Sequence, residues 1–308
     1  MKKAILLFIT IIGLTLQVFS QPYPIPEKTK RILILGNSIT YMGTYVSYID
    51  TYLTLTHPDK QYEIINLGLP SETVSGLSEP GHADGKFPRP DLHERLDRIL
   101  TQTHPDLVIA CYGMNDGIYM PFDGNRFAKF QEGIRWLHDK IVKTGAAVIF
   151  VTPPVFDERK GKAYANVLDL YSDWLISLRY TSQWQVIDIH WPMKKYLEDK
   201  RKADSSFLFA KDGIHPNATG HFIMAQQILL SLGENEIAKA ATIKDFTKTH
   251  PNGDTLLSLI GKRQSILKDA WLTQTGHKRP GMPTGLPMKE ALQKTEVIDQ
   301  QIHAYLKK

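Results

Sequence analysis

The sequence contains a single cysteine, Cys111, so an intrachain disulfide is excluded. Cys111 lies within the apolar run LVIACYG, which favours a small buried hydrophobic residue over a reactive thiol. The 308-residue chain is 42% apolar and 22% charged, as is ordinary for a globular protein. It is long enough to bury a large core without disulfides.

Several well-known signatures are also missing. The sequence has no GxGxxG dinucleotide fingerprint and no GxxxxGK[ST] phosphate-binding loop. It has no GxSxG motif, which argues against the nucleophile turn of the α/β-hydrolases. Four histidines, His82, His93, His104 and His138, lack the spacing of metal ligands and are expected on the surface or in loops. The sequence therefore predicts no metal and no cofactor.

No basic stripe with interleaved aromatic residues is found, so nucleic acid is not expected as a partner. The formal net charge is +5, and residues 234–308 hold 12 Lys or Arg against 8 Asp or Glu. The positive charge is therefore concentrated in the C-terminal part, where a solvated helical surface is the simplest interpretation.

The first 20 residues resemble a secretory signal peptide. MKK is a basic start, an apolar stretch follows, and Val18 and Ser20 have the spacing that a signal peptidase accepts. The apolar stretch is short for a membrane span and is interrupted by Gln17. We expect cleavage before Gln21, a secreted or periplasmic protein, and no membrane span afterwards. An uncleaved N-terminal anchor is the alternative.

Short apolar runs alternate with segments of helical periodicity from Lys30 to about Gly233. The five runs are RILIL, YEIINLG, DLVIACYG, AAVIFVTPP and WQVIDIH. This alternation predicts an α/β domain over residues 29–233, with a five-stranded parallel sheet between two helical layers. Residues 234–308 show no such alternation and predict a helical C-terminal extension, with helices near residues 255–273 and 288–306.

Polar residues and glycines follow four of these runs, where the carboxyl edge of the sheet should lie. They are Ser38 in GNSIT, Gly68 in NLGLPSET, Asn115 in YGMND, and Asp212 with His215 in KDGIHP. Each motif alone is explained by a turn or a helix cap. Together they supply a nucleophile, a base, an acid that orients the base, and hydrogen-bond donors for an oxyanion.

The combination resembles the SGNH hydrolases, the GDSL-like lipase and esterase superfamily, over roughly Lys30 to Gly233. The resemblance implies a flavodoxin-like three-layer αβα sandwich and metal-free serine esterase activity. It implies Ser38 as nucleophile, His215 as base and Asp212 as its partner. The implied oxyanion hole consists of the Ser38 and Gly68 N–H groups and the Asn115 amide.

One position departs from the family pattern, because Asn37 stands where an aspartate usually precedes the nucleophile. Asn37 takes no part in proton transfer, so we expect activity to survive. Asn37, His277 and Arg279 are possible substrate contacts. The basic loop His277–Lys278–Arg279 either folds over the site to bind uronic acids or is a surface connector between helices.

A secreted esterase of this composition suggests a small-molecule or polysaccharide ester as substrate, and O-acetylated carbohydrate is the preferred prediction. A short-chain lipid or aryl ester is the alternative within the same class. A non-catalytic glycan-binding protein on a hydrolase scaffold, or acyl transfer to a second sugar, are further alternatives. The oligomeric state is left open.

Overall fold

The computed structural model describes residues 22–307, so the predicted signal peptide lies outside the described residues. Its centre is a sheet of five parallel strands in the order β2-β1-β3-β4-β5. The strands are Arg31–Gly36 (β1), Glu63–Asn66 (β2), Leu107–Cys111 (β3), Ala147–Val151 (β4) and Gln185–Ile187 (β5). This is the flavodoxin-like order, and the fold prediction is confirmed.

Ten α-helices accompany the sheet in the described part of the chain. They are Ser38–Met42 (α1), Thr44–Thr56 (α2), Leu96–Thr103 (α3), Gly124–Val142 (α4), Lys162–Thr181 (α5), His190–Ala203 (α6), Ala218–Ser231 (α7), Ile243–Thr247 (α8), Gly253–Thr275 (α9) and Met288–Leu306 (α10). Short 3₁₀ turns lie at His82–Gly85, Leu92–Glu94, Glu158–Lys160 and Asn235–Lys239. None of the helices within residues 22–307 is long and apolar enough to cross a membrane.

The aliphatic runs of the sequence become the buried centre of the sheet. Every residue of β3 is buried, and so is β1 after its first residue, Arg31. Such continuous hydrophobic strands are typical of a parallel sheet covered by helices on both faces. The strand order reverses beside β1, so the loops after β1, β2 and β3 converge on one crevice at the carboxyl edge.

Helix ends largely follow the sequence signals. Asn217 caps α7, since its Oδ1 accepts the Gly220 N–H at 3.1 Å. Before α3 the chain forms a 3₁₀ turn at Leu92–Glu94, so the helix begins only at Leu96. The sequence analysis did not predict α6, which begins shortly after β5 and is strongly polar.

The C-terminal extension packs on the αβα part through α9, which contacts α2 and β2. The Arg263 guanidinium donates to both carboxylate oxygens of Asp50 at 2.9 Å, and Asp50 is buried. The Gln264 amide donates to Asp50 and to the Ile64 backbone oxygen of β2. The two long predicted helices of the extension are present as α9 and α10. The division at residue 233 stays a prediction.

Candidate active site

Ser38 is the first residue of α1, directly beyond β1 and a single connecting residue, Asn37. The first N–H groups of a helix have no acceptor within it, and the positive end of the helix dipole lies there. The Asn37 side chain satisfies one of these groups, because its Oδ1 accepts the Ile39 N–H at 3.1 Å. The Ser38 hydroxyl is thereby held at the crevice beside a helix N-terminus.

His215 connects Ser38 to Asp212. Its Nε2 lies 2.8 Å from the Ser38 Oγ, and its Nδ1 lies 2.6 Å from the Asp212 Oδ2. A carboxylate beside Nδ1 fixes the neutral tautomer that carries its proton there. Nε2 then has a free lone pair and accepts the Ser38 hydroxyl proton, so the three side chains form one chain of hydrogen bonds.

The loop before α7 holds the Asp212 carboxylate in place. Its Oδ1 accepts the N–H groups of Ile214 and His215, each at 2.9 Å. Burial alone would raise the pKa of Asp212, but the hydrogen bonds from the His215 ring and from these N–H groups outweigh it and lower the pKa to about 2. Asp212 is therefore ionised at neutral pH and supplies a lasting negative charge beside the imidazole.

A second histidine lies close to His215 on α7. His221 is 1% exposed, and its two ring nitrogens have no hydrogen-bond partner among the described residues. Its ring stacks on Tyr45, with ring centroids 6.1 Å apart. Burial, and secondarily the nearby charge of His215, lowers the pKa of His221 to about 4. His221 is therefore a neutral packing residue at neutral pH.

Asn115 follows β3, and its side chain is fixed on both sides. Its Nδ2 donates to the Glu72 backbone oxygen at 3.0 Å, and its Oδ1 accepts the Tyr119 hydroxyl at 2.9 Å. A carboxamide nitrogen carries two hydrogens, so one N–H of Asn115 remains for a ligand.

Asp116, the next residue, ties two of the crevice loops together. Its buried carboxylate accepts the N–H groups of Val74, Ser75 and Gly113, each at 2.9 Å. Burial raises the pKa of Asp116, although these hydrogen bonds act in the opposite direction. The loop after β2 is in this way held in a fixed position relative to Asn115.

A buried ion pair beneath this loop was missed by the sequence analysis. The Arg95 guanidinium donates to both carboxylate oxygens of Glu72 and to the Leu67 backbone oxygen, at 2.6 to 2.7 Å. The Tyr112 hydroxyl donates to the same carboxylate at 2.7 Å. Glu72 and Arg95 are 23 residues apart in sequence and show no local motif, so only the tertiary fold reveals the pair.

Gly68 allows close packing against α1. A side chain at this position would begin 2.3 Å from the Tyr41 backbone nitrogen, so only glycine fits. Its N–H donates to the Asn66 Oδ1 at 3.0 Å in this structure. To bind an oxyanion, the Gly68 N–H would have to leave or share this acceptor, and its assignment to the oxyanion hole stays a prediction.

The three possible substrate contacts differ in position. Asn37 is 3% exposed and its oxygen caps α1, which argues against contact with substrate. Arg279 is half-buried, and its Nε donates to the Pro70 backbone oxygen at 3.0 Å. The pKa of half-buried His277 is lowered by burial and by Arg95 and Arg279. The basic loop therefore contacts the loop that follows β2.

Metal ligands and a reactive thiol are not part of this arrangement. Among residues 22–307 no group of three or more His, Cys, Asp or Glu side chains is placed to hold a metal ion. Cys111 is buried at the end of β3, and burial raises the pKa of its thiol to about 12. Its surroundings agree with the interpretation as a small hydrophobic residue.

Comparison with known proteins gives a consistent picture. The model of the GDSL-like lipase/acylhydrolase family matches residues 34–223. An acetylxylan esterase of Geobacillus stearothermophilus is 21% identical over 225 residues, which cover 66% of this chain and 94% of that protein. The crystal structure of Axe2, an acetylxylan esterase from Geobacillus stearothermophilus, superposes with a TM-score of 0.53 at 20% identity and covers 66% of this chain and 94% of that chain.

Two other solved structures share the fold. A gut microbial diltiazem-metabolizing enzyme has a TM-score of 0.56 at 22% identity, and the match covers 69% of this chain and 49% of that chain. The present chain thus spans about half the length of that enzyme. An alpha/beta hydrolase enzyme from the metagenome of Lake Arreo, Spain, has a TM-score of 0.53 at 22% identity, with 67% and 95% coverage.

Proposed function

The chain belongs to the GDSL-like lipase/acylhydrolase family and is an ester-hydrolysing serine hydrolase, and we propose that it removes O-acetyl groups from carbohydrate. The observation that carries the proposal is the unbroken chain of hydrogen bonds from Ser38 through His215 to Asp212. Similarity to an acetylxylan esterase across 94% of that protein supports acetylated carbohydrate as the substrate class.

The proposed reaction begins when His215 Nε2 takes the Ser38 proton as Ser38 Oγ attacks the ester carbonyl. The Asp212 carboxylate holds the imidazole in its tautomer and stabilises the imidazolium that forms. His215 then gives the proton to the departing sugar oxygen. His215 Nε2 next takes a proton from water as the water attacks the acetyl-enzyme. It returns this proton to Ser38 Oγ as acetate leaves.

The negative oxygen of the tetrahedral intermediate needs hydrogen-bond donors placed in advance. The N–H of Ser38 at the start of α1 and the remaining N–H of Asn115 are suited to this role. The Asn115 amide cannot rotate freely, because Glu72 and Tyr119 hold both of its ends. Gly68 is a third donor on the condition that its N–H turns away from Asn66.

Acetate release from a panel of substrates tests the proposal. The panel comprises acetylated xylan, a second acetylated polysaccharide, 4-nitrophenyl acetate and a lysophospholipid, each with the wild-type protein and with Ser38→Ala. We expect release from acetylated glycan by the wild type alone. A protein that hydrolyses only the aryl or lipid ester would contradict the carbohydrate assignment. Binding of glycan without hydrolysis of any ester would favour a non-catalytic binding protein.

We further propose that the protein is exported. This rests on residues 1–20, whose basic start, apolar stretch and small-residue site are typical of a signal peptide. N-terminal sequencing of the mature protein from its native host is expected to begin at Gln21. A mature protein that retains Met1 or Lys2 would overturn cleavage at this site.

A further inference from the structure

A cavity of about 200 Å³ lies between the loop after β2 and the loop that joins α9 to α10. Among the residues that line it are Leu69, Phe87, Arg89, Arg95, Lys278 and Arg279. We call it the extension cavity, because Lys278 and Arg279 belong to the C-terminal extension. It borders the loop that carries Gly68, the predicted third oxyanion donor, since Leu69 follows Gly68 and Arg279 donates to Pro70.

Most charges around the extension cavity already have partners. Arg89 forms two hydrogen bonds of 2.6 Å with the Glu79 carboxylate. Arg95 likewise donates two hydrogen bonds to the Glu72 carboxylate. The two acidic residues that line the cavity, Asp91 and Glu94, also have partners. Asp91 forms a hydrogen bond with the His93 ring, and Glu94 accepts one from Arg98. These groups leave little net charge in the cavity.

Arg279 differs from the other arginines of the lining. No carboxylate lies within ion-pair distance of its guanidinium among residues 22–307, although the side chain is partly buried. Its Nε and Nη1 donate to the Pro70 and Pro280 backbone oxygens, and Nη1 also contacts the Met282 sulfur. Nη2 has no hydrogen-bond partner in the described part of the chain, and the guanidinium lies over the Phe87 ring, 5.3 Å from its centroid. Burial lowers the pKa of Arg279, as expected for a cation that has lost water without gaining an anion.

Two further basic side chains line the cavity near Arg279. Lys278 is exposed, and its Nζ lies 3.9 Å from the Glu94 carboxylate, at the limit of an ion pair. Arg95 is 1% exposed, and its Nη1 has no hydrogen-bond partner among the described residues. The cavity therefore combines the apolar side chains of Leu69 and Phe87 with the charge of Arg279, which no carboxylate of the described residues neutralises.

We propose that the extension cavity binds a carboxylate of the substrate, so that the enzyme prefers acetylated glycans that carry uronic acid residues. A carboxylate can accept from the free Nη2 of Arg279 and from Lys278, while the apolar lining contacts the C–H face of a sugar ring. The proposal rests on the proposed function, because it assigns a specificity to the same site.

Matched substrates separate this role from the structural role of Arg279. We suggest an acetylated xylooligosaccharide, the same oligosaccharide with a glucuronic acid branch, and its carboxyl methyl ester. The variants are Arg279→Gln and Lys278→Gln, with Arg135→Gln as control, because Arg135 lies on α4 and is not part of the cavity lining. Lys278→Gln leaves the Arg279 contact with Pro70 intact.

We expect the wild type to have a higher kcat/KM for the acidic oligosaccharide than for the other two. Arg279→Gln should lower this preference about tenfold, Lys278→Gln should lower it less, and Arg135→Gln should leave it unchanged. Equal losses on all three substrates would show that Arg279 only positions the loop and would overturn the proposal.

Calorimetric binding by Ser38→Ala provides a readout that does not depend on turnover. Tighter binding of the acidic than of the neutral oligosaccharide, reduced by adding Arg279→Gln, supports the carboxylate site. Equal binding of the two overturns it. Absence of acetate release from every glycan by the wild type would instead defeat the proposed function, so the two failures are distinguishable.

Discussion

The Nε2 atom of His215 lies 2.8 Å from the Oγ atom of Ser38, although the two residues are 177 positions apart in sequence. The sheet brings them together, because Ser38 begins the helix after β1 and His215 stands just before α7, which packs against α2. The contact gives the serine a base within hydrogen-bond distance without any rearrangement.

Ser38→Ala should lower ester turnover by about 10⁵- to 10⁶-fold, because it removes the atom that forms the acyl-enzyme. Hydrolysis of 4-nitrophenyl acetate at equal concentrations of folded protein measures the loss. Ser258→Ala, an exposed serine on α9, is the control and should behave as wild type. An alanine variant that retains substantial turnover would remove Ser38 from the mechanism.

Asp212→Asn should lower kcat by about 10⁴-fold, because an amide favours the wrong tautomer of His215. The neutral side chain also cannot stabilise the imidazolium, whereas Asp212 is ionised at neutral pH. Asp199→Asn, an exposed acid on α6, serves as the control and should leave kcat unchanged. A loss of less than tenfold in Asp212→Asn would indicate that His215 is oriented by other groups.

Asn115→Ala should lower kcat by about 100- to 1000-fold with a smaller effect on KM, because an oxyanion donor acts mainly in the transition state. Tyr119→Phe is the matched variant, since it removes only the hydroxyl that holds the Asn115 oxygen. We expect a much smaller loss in this variant. If both substitutions cost the same, the Asn115 amide acts by holding the loop rather than by binding the oxyanion.

His221→Phe should reduce the pH dependence of stability. The folded protein keeps this ring neutral down to about pH 4, whereas the unfolded chain takes up a proton near 6.5. The unfolded state therefore binds more protons between these values, and the free energy of unfolding decreases as the pH falls. At about pH 5 the loss from this group is roughly 2 kcal/mol.

Urea denaturation at about pH 7 and at about pH 5 measures this contribution. The difference between the two pH values should be smaller in His221→Phe than in the wild type by roughly 2 kcal/mol. His303→Gln, at an exposed position on α10, should retain the wild-type difference. An unchanged difference in His221→Phe would assign the acid sensitivity to other groups.

The strands and helices of the αβα part could be predicted from the sequence because hydrophobic period and turn residues are local properties, whereas the flavodoxin-like arrangement was implied by the family resemblance. Ser38, Asn115 and His215 were found for the same reason, since each follows a strand or precedes a helix with a recognisable motif. The hydrogen bond from the Gly68 N–H to the Asn66 side chain could not be predicted. It depends on where the Asn66 side chain points, and that is set by packing against α1.

The contacts that attach the C-terminal extension to the αβα part also could not be predicted from the sequence. Arg263 and Asp50 are 213 positions apart, and both lie on helices with no motif to connect them. Composition correctly indicated helices there, but it suggested a solvated basic surface. In the structure one of these cations, Arg263, instead forms ion pairs with Asp50 on α2 and Asp299 on α10.

Arg263→Met should lower the free energy of unfolding by about 3 to 5 kcal/mol, because it leaves the Asp50 carboxylate without its charged partner. Asp50 is 2% exposed and would keep only neutral donors, from Gln264 and Thr54. Burial alone would lower the pKa of Arg263, but Asp50 and Asp299 raise it, as expected for a cation stabilised by both.

Urea denaturation of Arg263→Met and of Lys262→Met tests this contact. Lys262 is the exposed neighbour on α9, and its substitution should change stability little. In the double variant Asp50→Asn/Arg263→Met the loss should be smaller than the sum of the single losses, because no unpaired charge remains buried. Equal effects of the Lys262 and Arg263 substitutions would show that the ion pair does not hold the extension on the sheet, and that the other contacts of α9 attach it.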